Sequence, residues 1–412
     1  VNVRQTTKEV GKILQQIEPE IKIVYSKAEI ASSFREMFDF IKIRELNDTH
    51  HAKDAYLNIV AGNVYNTKFT EKPYRYLQEI KENYDVKKIY NYDIKNAWDK
   101  EKSLEIVKKN MEKNTVNITK NTLQHLNITK MGEKSALFYG AYGSTVNIAD
   151  NIMIAGTASS TIDDSAQVLV TDGGNANINS GKTLTSKLKT TISGLNGATV
   201  TNEGTLALTG KDGAVGIYSN ASTVKNKKII TTANDGSVAI YGKAGSTLTN
   251  EGTNGEITTS GNSSVGMLAD NSTVTNESGG KITTSGTGSA GIYGTNNSTI
   301  KNAGAITTEE TGSAGIYANE SNATNESTGT ITSKKGSSAG IYAISTSAKN
   351  TKNKGTIEVG LTGSPEINGV GIYAEGHQNV ENNGNINIRI KNSIGIYGKG
   401  TDVEIENKKN IT

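Results

Sequence analysis

The word Gly-Ile-Tyr, or a close variant, recurs along the second half of this 412-residue chain. That recurrence constrains the fold more than any other feature. Its central residue is Ile217, Ile240, Met267, Ile292, Ile316, Ile341, Ile372 and Ile396, at intervals of 23, 27, 25, 24, 25, 31 and 24. A period near 25 that tolerates insertions belongs to stacked coils. A leucine-rich repeat has a similar length, but its Leu-x-x-Leu-x-Leu pattern is missing. Each repeat, as in GSAGIYGTNNSTIKNAGAITTEET, reads as three short strands separated by Gly, Ser, Asn and Asp turns.

Strand side chains alternate between faces, so each anchor and the apolar residue two before it are expected to stack inward as one ladder. Those partners are Val215, Val238, Val265, Ala290, Ala314, Ala339, Val370 and Ile394. Nine to twelve residues after each anchor comes an asparagine: Asn226, Asn250, Asn276, Asn302, Asn325, Asn353, Asn382 and Asn407. At a recurring turn, Asn tolerates left-handed geometry and hydrogen-bonds its copies above and below. Ile257, Ile282, Ile306, Ile331, Ile357 and Ile386 mark a third strand. At about 4.7 Å per coil, the eight anchors span about 33 Å, a stalk in which no pocket is expected. The outward neighbours Tyr218, Tyr241, Leu268, Tyr293, Tyr317, Tyr342, Tyr373 and Tyr397 form a stripe with two readings. Stacking between coils is favoured over a binding surface for a host protein or glycan, because every coil repeats the same residue while specific sites are local.

Glycine usage places a boundary upstream. Only Gly11 and Gly62 precede Thr115, out of 44 glycines in the chain, and the Lys-rich helical texture stops over residues 111–131. The expected organisation is a segment at 1–115, a less regular solenoid start at 116–210 and regular coils at 211–412. Balanced charge, 44 basic against 41 acidic residues, excludes the one-signed field of a dedicated nucleic-acid binder. The absence of cysteine excludes disulfides and Cys-ligated metals. No apolar run reaches the ~18–20 residues that cross a bilayer. The opening VNVRQTTKEV reads as if cut from something longer.

Before the boundary, helix and strand patterns alternate, which predicts an α/β unit. Val10, Ile13, Leu14 and Ile17 lie at helical spacing, with Thr6 or Thr7 as N-cap. IKIVYSK reads as a strand, AEIASSFREMFDFI as a helix, DFIKIREL as a strand, and 50–64 as a further helix. On that last helix His51 and Asp54 are three residues apart and share a face, which could hold one metal ion. The plainer reading of His50, His51 and Asp54, favoured from spacing alone, is the polar first turn of an ordinary helix.

The surrounding words, VRQTTKEVGKIL, the long run from IKIVYSK through NDTHHAKDAYLNIVAGNVY, and IVKKNMEKN, resemble the third RuvC-like segment of the type II CRISPR effector, an RNA-guided DNA endonuclease. The resemblance runs over about residues 3–114. It implies an incomplete RNase H-like domain that uses Mg²⁺ or Mn²⁺, with guide RNA and target DNA as partners. It also implies catalytic and metal roles for Asp54, as a ligating carboxylate, and for His51, at the metal-bound water. The family's site is completed by an aspartate and a glutamate from two earlier segments that these residues do not include, so no DNA cleavage is expected. Lys87, Lys88, Lys108 and Lys109 read as solvated helix faces more readily than as phosphate contacts, and Trp98 as local packing.

The repeat half, over about the last 280 residues, resembles the passenger domain of autotransporter adhesins, especially fusobacterial outer-membrane examples. This implies a surface-displayed, right-handed parallel β-helix used in attachment. One half therefore points to the cytoplasm and the other to the outer membrane or cell surface, as in a chimeric or truncated chain.

Overall fold

The computed structural model describes residues 2–20, 54–58, 102, 115–118, 136–154, 166–361 and 365–412. The chain divides into two compact units, Val1–Lys113 and Asn114–Thr412.

In the first unit, helix α1 spans Asn2–Ile17. It begins earlier than expected, so Thr6 and Thr7 lie inside it rather than capping it. Val10, Ile13, Leu14 and Ile17 form one stripe, as their spacing requires, yet they are 48, 53, 47 and 68% exposed. Residues 54–58 are helical, with Leu57 buried. The predicted strands at 21–27 and 39–46, the helix between them, His50, His51, the four lysines and Trp98 lie outside the described residues.

The second unit is a parallel β-solenoid. A representative coil has a first strand Ala290–Thr295, a second Thr299–Asn302 and a third Ala305–Thr308. The ten third strands make one parallel sheet, and the first and second strands share a 21-stranded sheet. Register is strict: Tyr293 pairs with Tyr317, Tyr317 with Tyr342, and Tyr342 with Tyr373. Identical neighbours above and below keep side chains in columns, because a one-residue slip would turn every inward residue outward. The anchors from Ile217 to Ile372 and the third-strand isoleucines have at most 1% of their surface exposed. The anchor column also continues upstream through Phe138, Val168 and Ile192 to Ile217, where the Gly-Ile-Tyr word is lost.

One expectation is overturned. The residues two before each anchor do not join the inward ladder: Val215, Ala290 and Ala339 are buried, but none of the eight belongs to the packed core cluster of the anchors. The residue between them is itself inward: a Cβ on Gly315 would lie 2.2 Å from Ile331 Cγ2, and one on Gly291 2.4 Å from Ile306 Cγ2. Two successive inward positions break the alternation, as in a bulge. Ala290, Ala314, Ala339 and Val370 are thereby turned to the outer face. Glycine suits this close approach at Gly291 and Gly315, while Ala239 fills the equivalent inward site of its own coil and is fully buried.

The asparagine ladder forms, but without left-handed backbone. Asn226 Nδ2 donates to Asn250 Oδ1 at 2.7 Å, and Asn250 to Asn276, Asn276 to Asn302 and Asn302 to Asn325, each at 2.8 Å. The second amide hydrogen closes the following corner, as in Asn302 Nδ2 to Gly304 O at 3.1 Å. These residues end their strands, and the positive-φ residues fall elsewhere, at Asn271, Asn296 and Asn297 among others.

Most of the extra length in the 31-residue interval falls between Ile357 and Ile372, 15 residues apart where Ile331 and Ile341 are ten apart. The corner between first and second strands is rounded by two long strands, Ala339–Asn353 and Val370–Asn382, whose register shifts between Ser345 and Lys349. Buried Gln378 bridges that corner, donating to Ser345 Oγ at 2.9 Å and accepting from Thr351 Oγ1 at 3.0 Å.

Candidate functional site

Asp54 opens the described helical residues 54–58 and is half-buried. His51 lies outside the described residues, so the structure does not show the two together. Among the described residues no group of three or more His, Cys, Asp or Glu could hold a metal ion. Asp54 supplies a single carboxylate, and a two-metal site needs several. The described residues therefore do not make the implied metal site, and no chemistry is routed through one.

The solenoid, in contrast to the expected pocketless stalk, carries a groove of about 430 Å³ that crosses four coils. In chain order each of the four coils contributes a turn residue and a floor residue, and the last three also contribute a tyrosine. The turn column is Gly288, Gly312, Ser337 and Asn368, all at positive φ. The floor is Ala290, Ala314, Ala339 and Val370, and the far wall is Tyr317, Tyr342 and Tyr373. The groove exists because the bulge turns small residues outward where a regular strand would bury them.

The tyrosines stack on one another. Ring centroids of Tyr293 and Tyr317 are 4.6 Å apart at 9°, and those of Tyr342 and Tyr373 are 4.5 Å apart at 2°. Between the two pairs, Tyr317 meets Tyr342 edge-on at 83°. Coil-to-coil stacking, the favoured reading of the stripe, is thus present, and such pairs add ~0.5–1.5 kcal/mol beyond area burial. Burial, then its neighbours Tyr293 and Tyr342, push the Tyr317 hydroxyl pKa up. Tyr373 donates to Glu375 Oε2 at 2.7 Å, and Lys399 Nζ lies 2.8 Å from Glu375 Oε1. That hydrogen bond to Glu375, followed by burial, raises the Tyr373 pKa. Lys399 first and Tyr373 second hold the Glu375 carboxyl below its usual range.

Beneath the groove runs a serine column that the sequence reading missed. Ser264 N–H donates to Ser289 Oγ at 3.2 Å, Ser289 N–H to Ser313 Oγ at 3.2 Å, and Ser313 N–H to Ser338 Oγ at 3.3 Å. The signal was available as the serine preceding Ala-Gly-Ile-Tyr in three successive repeats.

A family described as the BigA third pectate lyase-like domain matches residues 100–397, well over half of the chain. The chain belongs to this family. A second family, described as the Cas9 RuvC domain, matches residues 4–122, so the BigA-like region and the RuvC-like region overlap at 100–122. Upstream of the BigA-like coils, the chain is 44% identical over 73 residues to the CRISPR-associated endonuclease Cas9 of Streptococcus mutans serotype c, covering 15% of this chain and 5% of that protein. It is 40% identical over 74 residues to the CRISPR-associated endonuclease Cas9 of Listeria innocua serovar 6a, covering 15% and 6%. The chain therefore spans about a twentieth of the length of these curated relatives. No solved structure matches it. The resemblance to a RuvC-like segment followed by a β-helix is found in both halves, and the chain joins the two.

Proposed function

We propose that the working part of this chain is the solenoid, a surface-displayed stalk with an adhesive role, and that the RuvC-like segment does not cleave DNA here. The observation that carries the first statement is the column structure. Anchors and asparagines repeat from coil to coil, and serines and tyrosines over most of the coils, which builds a stiff rod with a groove along its flank. Such a rod holds a recognition surface away from its point of attachment, and repeat proteins of this kind present extended binding faces. Attachment of beads carrying the purified chain to host cells tests it; beads no stickier than those carrying an unrelated β-solenoid would sink the adhesive role.

The second statement rests on the ligand set. In the intact nuclease family the resemblance implies Mg²⁺ or Mn²⁺, guide RNA and target DNA, with Asp54 and His51 at the metal. Two ions need carboxylates from several segments to fix their geometry, and the curated similarity covers 73 residues of a far longer enzyme. A Mg²⁺-dependent nicking assay is expected to show no cleavage. Cutting by the wild-type chain that Asp54→Ala abolishes would overturn this.

The two segments point to different compartments, so the join itself needs testing. Amplification from the source genome across the codons for residues 111–131 yields one continuous product if the chain is a natural fusion. Repeated recovery of the two flanks on separate products would mean that the halves should be assigned functions separately.

A further inference from the structure

We propose that the tyrosine-walled groove binds a neutral oligosaccharide laid along the solenoid axis. This deepens the adhesive reading and rests on it, since it names the class of ligand that such a surface would hold. Its volume of about 430 Å³ falls within the ~300–1,000 Å³ usual for ligand clefts.

Charge selects the ligand first. No charged side chain lines the groove. Two charge pairs near its margins are Lys335 with Glu366 at 3.3 Å and Lys399 with Glu375 at 2.8 Å. An ionic ligand would lose its hydration without gaining a counter-charge, which is unfavourable. A neutral one meets no such penalty.

The backbone then separates saccharide from peptide. An extended peptide gains affinity by adding a strand to a free sheet edge. This groove runs across the strands, and the strands that form it already pair with the coils above and below, Ala290–Thr295 with Ala314–Asn319 and so on through Val370–Asn382. No edge is offered along its length. What remains is a floor of small apolar residues, a wall of amphipathic tyrosines and the exposed turn residues Ser337 and Asn368. Those groups suit a molecule that alternates C–H faces with hydroxyls. Similar chemistry recurs at each coil, so a polymer with a repeating unit is matched better than a single compact molecule.

The test is isothermal titration of the full chain with cellohexaose, xylohexaose and N-acetylchitohexaose as neutral probes, with hexagalacturonate as the acidic probe and an uncharged Gly-Ser-Thr peptide as a further comparison. Binding of at least one neutral probe is expected, with neither comparison binding. Ala314→Arg, which places a long charged chain on the floor, should weaken that binding about tenfold or more, equivalent to ~1.4 kcal/mol. Its melting temperature shows that the coils remain folded; Tyr342→Phe, which keeps the ring and removes the hydroxyl, should weaken binding in the same direction if Ala314→Arg does not fold. Absence of neutral binding, preference for hexagalacturonate or the peptide, or affinity unchanged in the folded variant would each overturn the proposal. Beads that attach to host cells while every saccharide fails would sink this inference and leave the adhesive reading standing; saccharide binding without attachment would do the reverse.

Discussion

Asn250 and Asn276, 26 residues apart in sequence, are both fully buried and joined by an Nδ2 to Oδ1 hydrogen bond of 2.8 Å. Asn276 in turn donates to Asn302 Oδ1 at 2.8 Å. Replacing it with alanine strands a buried donor above and a buried acceptor below, and each unsatisfied group costs about 1–3 kcal/mol. Asn276→Ala should therefore destabilise the solenoid by about 2–6 kcal/mol in urea unfolding. Asn276→Asp restores the acceptor for Asn250 but not the donor for Asn302, and it buries a charge, so it should not rescue.

The two outward-or-inward assignments around the anchors separate cleanly. Ile316→Ala leaves a cavity in the core and should cost about 2–5 kcal/mol. Ala314→Ser, two residues earlier on the groove floor, should change stability by no more than about 0.5 kcal/mol. Comparable losses at both positions would restore the simple alternating strand.

Period, strand count, anchor column and asparagine ladder were legible in the sequence because each rests on residues that repeat in register. The groove was not. It depends on the buried glycine between two apolar positions, and the residues alone do not say whether that glycine points in or out. Upstream of Ile217 the columns persist while the word disappears, because Phe138 and Val168 fill the same site with different shapes and Ile192 is flanked by Thr191 and Ser193 instead of Gly and Tyr. At the RuvC-like end, the words around Asp54 carried the family, whereas its helix alone would have passed for an ordinary polar turn.

Gly315 gives a sharper test of that close approach. A methyl group there would sit 2.2 Å from Ile331 Cγ2 and 2.7 Å from Gly340 O, so Gly315→Ala should cost about 1–3 kcal/mol through overpacking. Ile331→Ala removes one of the two clashing groups. The double variant should be less destabilised than the sum of the singles, which thermal unfolding of the four proteins measures.

Acid and alkali should act through different residues. Hydrogen bonds from Thr346 hold the Glu320 carboxyl below its usual range, as Lys399 and Tyr373 do for Glu375. A lowered carboxylate contributes stability that is present above its unfolded pKa, about 4.3, and is lost as pH falls through the folded value. The raised Tyr373 hydroxyl has the opposite sign: its contribution is complete below the unfolded value of about 10 and is lost as pH rises beyond it. Ultraviolet titration should show Tyr317 and Tyr373 ionising after the exposed tyrosines. Glu375→Gln should move the Tyr373 transition to lower pH, and an unchanged transition would count against the hydrogen bond as its cause.

The stripe on α1 predicts behaviour of the first unit by itself. Val10, Ile13, Leu14 and Ile17 are each between 47 and 68% exposed, and contiguous exposed apolar faces promote association. The chain should bind a hydrophobic dye and form concentration-dependent oligomers in light scattering. Leu14→Glu together with Ile17→Glu should lower both signals while leaving the solenoid's unfolding transition in place, because neither residue contributes to its columns. Oligomers that persist undiminished in that variant would place the sticky surface elsewhere, with the partly exposed Ile394, Tyr397 and Ile405 of the last coil as the next surface to charge.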